Sequence, residues 1–158
     1  MPDQPPAPAS LHPALSRNTG FLVSRMGLVA SKRFAERIAA VGLNPRMWGA
    51  LNVLDAEGAI TQHALCRSIG IDPSSMVATV DELESRGLVE RRRNPTDRRA
   101  YALHLTDGGR ETLAHARELA REAQDELLAP LTGDERATLR ELLLKLAIAS
   151  QEITVSAG

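Results

Sequence analysis

Six arginines crowd between positions 86 and 99: Arg86, Arg91, Arg92, Arg93, Arg98 and Arg99. With Glu90 and Asp97 included, that stretch carries a local +4, while the rest of the 158-residue chain carries −5. The formal net charge of −1 is therefore a cancellation. Guanidinium groups at this density suit the phosphates of a nucleic-acid backbone. Each neutralised phosphate releases counterions, and the planar fork binds two oxygens at once. A second set stands upstream, where Ser74, Ser75, Ala78, Thr79 and Glu82 share the helical face opposite Met76, Val80 and Leu83. Small hydroxyls at a helix start suit phosphate and base-edge contacts, and Ala78 or the Thr79 methyl can meet a thymine methyl. Ser74 and Ser75 also serve as ordinary caps.

Other chemistry is poorly represented. The aromatic residues are Phe21, Phe34, Trp48 and Tyr101, too few for a platform that stacks single-stranded bases. Cys66 is the single cysteine, so neither an intramolecular disulfide nor a CxxC zinc motif is available. His63 and Cys66 stand at i and i+3, with no third metal ligand at a telling spacing. No nucleophile–base pair, phosphate-cradling glycine loop or framed carboxylate pair is present, so neither enzyme activity nor a cofactor is expected. No apolar run is long enough to span a bilayer. The first basic residue is Arg17, after a Pro/Ala-rich stretch, so a secretory signal is not expected and the cytoplasm is the expected location.

The elements that position these residues follow from periodicity and punctuation. Residues 1–13 hold five of the nine prolines and read as a disordered arm. Leu15, Leu22, Met26 and Val29 open a helix that extends past Ile38 to Gly42, with a bend allowed at Gly20 or Gly27. A second helix starts at Asn44-Pro45, places Trp48, Leu51 and Leu54 on one face, and ends at Gly58. Thr61 caps a short helix that stops at Gly70, and Asp72-Pro73 opens the next, which ends at Gly87. Two short helices joined through a glycine turn have the form of a helix-turn-helix. The period then changes to two, giving strands at 88–93 and 101–105 around an Asn94-Pro95-Thr96-Asp97 turn. Thr106 caps a helix running to Pro130, and Thr132-Gly133-Asp134-Glu135 is a capping box for the last one. The expected fold is mainly α, with a small β-hairpin following a helix-turn-helix. The DNA-binding lobe spans residues 43–105 within a domain of 14–153, and helices in 14–42 and 106–153 are left for dimerisation.

Ile60-Thr61, Gly70-Ile71, Ser74 to Val77, Leu83-Glu84, Gly87-Leu88-Val89-Glu90-Arg91, Asp97-Arg98-Arg99-Ala100 and Leu105-Thr106 together resemble the MarR (multiple antibiotic resistance regulator) family. The resemblance implies a winged helix-turn-helix homodimer, a ligand-relieved repressor that binds pseudo-palindromic promoter DNA. Its groove helix corresponds to residues 73–86. The wing arginine at the minor groove corresponds to Arg99, or to Arg98 beside it, with Asp97 orienting it. Arg86, Arg91 and Arg93 complete the expected contacts. Many relatives carry threonine and arginine where this chain has Val77 and Ala78, so the relatives' base code does not transfer. The resemblance further implies a phenolic or aromatic carboxylate effector in a cleft that Met26, Arg46, Trp48 and His63 are placed to line. Relatives that sense peroxide use a cysteine near the domain's N-terminus, where this chain has none. Two other readings stand beside this one: a regulator without an effector, and a winged-helix module for protein–protein contact.

Overall fold

The computed structural model describes residues 11–93 and 101–150. The expected turn at 94–97 and the wing residues Asp97, Arg98 and Arg99 lie outside the described residues, as does most of the N-terminal arm. A short helix α1 (Pro13–Ser16) precedes the long α2 (Thr19–Ile38). The interruption falls at Arg17-Asn18, where the Asn18 side chain accepts from the Phe21 amide, and not at Gly20 or Gly27. A capping side chain competes with the helical ladder at that point, and the glycines are absorbed into the helix. After α2 comes a 3-10 turn (Ala39–Val41), closed by Gly42 in the left-handed region.

The next elements start on caps visible in the sequence. Asn44 caps α3 (Pro45–Glu57), Thr61 caps α4 (Gln62–Ile69) and Asp72 caps α5 (Pro73–Ser85). Strands β2 (Val89–Arg93) and β3 (Tyr101–Leu105) pair antiparallel, with Val89 opposite Leu105 and Arg93 opposite Tyr101. Periodicity alone leads to a two-stranded hairpin. The structure adds β1 (Ile60–Thr61), which pairs with β3 to give the order β1-β3-β2. Two residues are too few to show alternation, and only the free edge of β3 reveals the partner. Thr106 caps α6 (Asp107–Leu127), and the Thr132–Glu135 capping box opens α7 (Gly133–Ala149).

One core serves the lobe. Met47, Leu51 and Leu54 of α3 meet Leu65 of α4, then Met76, Val80 and Leu83 of α5, and then Leu103 of β3. Each of these is at most 1% exposed. Ile38 of α2 and Leu113 and Ala116 of α6 join the same cluster, so the long helices are anchored to the lobe. By contrast, α7 contributes no buried residue.

Candidate nucleic-acid interface and cleft

The start of α5 is built on one carboxylate. Asp72 Oδ1 accepts from the Ser75 amide (2.9 Å) and from the Ser74 hydroxyl (2.5 Å). These bonds, the Ser74 hydroxyl foremost and then the Ser75 hydroxyl and amide, hold the Asp72 carboxyl well below the usual carboxylate range. Ser74 is exposed and Ser75 half-buried. The cap is therefore Asp72, and the reading of Ser74 and Ser75 as caps is corrected: both lie within the first turn and donate to it, with Ser74 facing outward as well.

Along the helix the outward face runs through Ser74, Val77, Ala78, Asp81 and Glu82. Thr79 is not on it. It is 7% exposed, and its hydroxyl donates to the Ser75 carbonyl at 2.8 Å. The reading that set Thr79 opposite the apolar stripe is corrected accordingly. Position 79 falls between Met76 and Leu83, at i+3 and i−4, on the buried stripe itself. Val77, treated above only as a departure from relatives, is 44% exposed.

Two of the expected contact arginines have partners within the protein. Arg91, on β2, donates to Asp81 Oδ1 at 2.6 Å and to Glu84 Oε2, and its amide donates to Glu84 Oε1. Burial disfavours its charge, but the bonds to Asp81 and Glu84 outweigh that and leave its pKa raised. Arg86 donates to the carbonyls of Gly42 and Val41, tying the end of α5 to the turn that closes α2. Both guanidinium groups are thus engaged within the protein, where the sequence reading turns them to phosphates. The pairs run between elements, where no local spacing rule applies. Arg92 pairs with Glu90 on its own strand, and Arg93 is exposed at the strand end.

A cleft of about 1010 Å³ opens between α2, α3, α6 and α7. Phe34, Trp48, Ala120, Leu127, Leu139 and Leu143 give it an apolar lining, with Arg121 and Arg140 among its polar residues. Trp48 and Phe34 meet edge to face, their ring centroids 5.1 Å apart. Trp48 Nε1 is buried without a hydrogen-bond partner among the described residues. Of the four residues expected to line a cleft, only Trp48 does so. Met26, Arg46 and His63 are exposed on α2, α3 and α4, away from its lining. Each is exposed on its own helix, and which face a neighbouring helix covers is not set by local spacing. Cys66 is 7% exposed, within the core.

A model of the MarR family matches residues 41–100. The putative transcriptional regulatory protein for the hcr operon of Thauera aromatica is 34% identical over 137 residues, covering 86% of this chain and 82% of the relative. Among solved structures, the transcriptional repressor CouR bound to a 23-mer DNA duplex is 37% identical with a TM-score of 0.77, covering 88% of this chain and 99% of that one. CouR bound to p-coumaroyl-CoA is 35% identical with a TM-score of 0.72, covering 87% and 96%.

Proposed function

Because the chain belongs to the MarR family of transcription regulators, we propose that it binds a pseudo-palindromic operator in duplex DNA as a homodimer, and that a small aromatic effector relieves this binding. The observation that carries the proposal is the juxtaposition of α5 with β2. A capped helix with an exposed Ser74, Val77 and Ala78 stands beside a strand that presents Arg92 and Arg93. The helix enters the major groove, and the arginines meet the adjacent backbone. Asp97, Arg98 and Arg99 belong to this interface on the family resemblance alone.

The second copy is supported by apolar exposure. Val23, Met26 and Leu28 on α2 and Leu142, Leu143, Leu146 and Ile148 on α7 are all at least 45% exposed. Helices that expose this much apolar surface need a cover, and a two-fold partner presents the same helices in return. For the effector, the Trp48 end of the cleft offers an apolar slot and one unpartnered donor, the requirements of a phenolic or aromatic acyl group.

Gel shift with duplex from the gene's own upstream region tests the proposal. Binding should weaken steeply as salt rises, because phosphate contacts release counterions. Arg93→Ala should reduce the slope of log K against log salt by about one. Absence of any shift at low salt overturns the DNA reading. Trp48 is the sole tryptophan, so its fluorescence reports on the cleft. Adding p-coumarate or p-coumaroyl-CoA should change the emission and release DNA. A chain whose emission responds to neither overturns the aromatic-effector reading.

A further inference from the structure

The outward face of α5 has an unusual composition for a groove helix. From Pro73 to Ser85 it contains no lysine or arginine, and its charged residues are Asp81, Glu82 and Glu84. Asp81 and Glu84 are engaged by Arg91, and the Arg86 that follows the helix donates to Val41 and Gly42. The Ser74 hydroxyl donates to Asp72. No guanidinium of this helix therefore reaches a guanine edge, and its first hydroxyl already has an acceptor. What remains on the outward face is the Glu82 carboxylate, which cannot accept from a phosphate, and two apolar side chains, Val77 and Ala78. Among the described residues, every other large exposed apolar side chain except Tyr101 lies between positions 11 and 28 or between 142 and 148. Val77 is thus set apart from the surface expected to pair with a second copy.

In the major groove only thymine presents an apolar group, its C5 methyl. We infer that Val77, with Ala78 beside it, is the specificity-determining contact of this helix and reads a thymine methyl in each operator half-site. The inference rests on the DNA reading above and adds to it the chemistry of base choice. Discrimination comes from methyl burial in place of the bidentate guanine contact that an arginine would make.

The full-length dimer is used to enrich duplexes from a random pool, and each dT of the enriched site is then replaced singly by dU. Uracil keeps the hydrogen-bonding edge and lacks only the methyl. At one position per half-site the replacement should weaken binding about fourfold, the worth of burying one methyl group. Val77→Ala should bind the dT and dU duplexes alike, with an unchanged melting temperature because the side chain is exposed. Enrichment without a dU-sensitive position, or a dU penalty that persists in Val77→Ala, overturns this inference and leaves DNA binding standing. Failure to enrich any duplex overturns the DNA reading and this inference with it.

Discussion

Arg91 looks in the sequence like one more phosphate contact, yet its guanidinium lies between Asp81 and Glu84. Those carboxylates sit on the helix that would face a phosphate-lined groove, so their neutralisation matters more than the position of Arg91 itself. Arg91→Ala should weaken DNA binding about tenfold while costing only about 1 kcal/mol of folding stability, since the carboxylates are largely exposed. Adding Asp81→Asn should recover part of the affinity, which a lost phosphate contact would not allow. A double-mutant cycle read by gel shift decides between the two. Asp72 gives a second residue-scale expectation. Its folded pKa lies below the ordinary value of 3.8, so its contribution to stability is present above that value and is lost as the pH falls through the folded one. Thermal melts between about pH 5 and pH 2 should fall more steeply for the wild type than for Asp72→Asn.

At the scale of the elements, α6 depends on one glycine for its entry. A Cβ at Gly109 would collide with the Leu88 carbonyl oxygen and meet Leu105 Cδ1 at 2.7 Å. Helix propensity alone favours alanine there by up to about 1 kcal/mol. The backbone contact cannot yield as a side chain would, and it reverses the sign. Gly109→Ala should destabilise the lobe by about 3 kcal/mol, measured by denaturant unfolding. Thr106 works at the same junction, accepting from the Gly109 amide and donating to the Gly87 carbonyl. The caps Asn44, Thr61, Asp72, Thr106 and Thr132 were legible because each acts within three residues of itself. Strand β1 and the contacts of Gly109 were not, since both are defined by a segment more than twenty positions away or by a backbone atom that no pattern encodes.

For the whole molecule, the near-neutral charge conceals a polar arrangement. The arginines gather at the hairpin, and the acids concentrate in residues 107–135. Some of those acids hold the helices together, as Glu122 and Glu126 do with Arg37, and Asp125 with Arg136. On the proposed function, one face should approach DNA. By contrast, α7 buries none of its residues fully within the chain. Leu142→Glu combined with Leu146→Glu should yield a monomer by sedimentation, with little change in the lobe and a large loss of operator affinity because two half-sites are no longer bridged.

The sequence by itself determined the helix starts from α3 onward, the hairpin strands, the helix-turn-helix order and the family. Each of these rests on local spacing, caps or a continuous motif. It also located the concentration of positive charge, because charge adds along a segment whatever the fold. Only the tertiary structure decided which of the charged and polar residues remain available. Arg86 and Arg91 were withdrawn into contacts between elements, Thr79 into the core, and Met26, Arg46 and His63 away from the cleft that keeps Trp48. Availability depends on what packs opposite each side chain, and a single helix or strand carries no record of its neighbour.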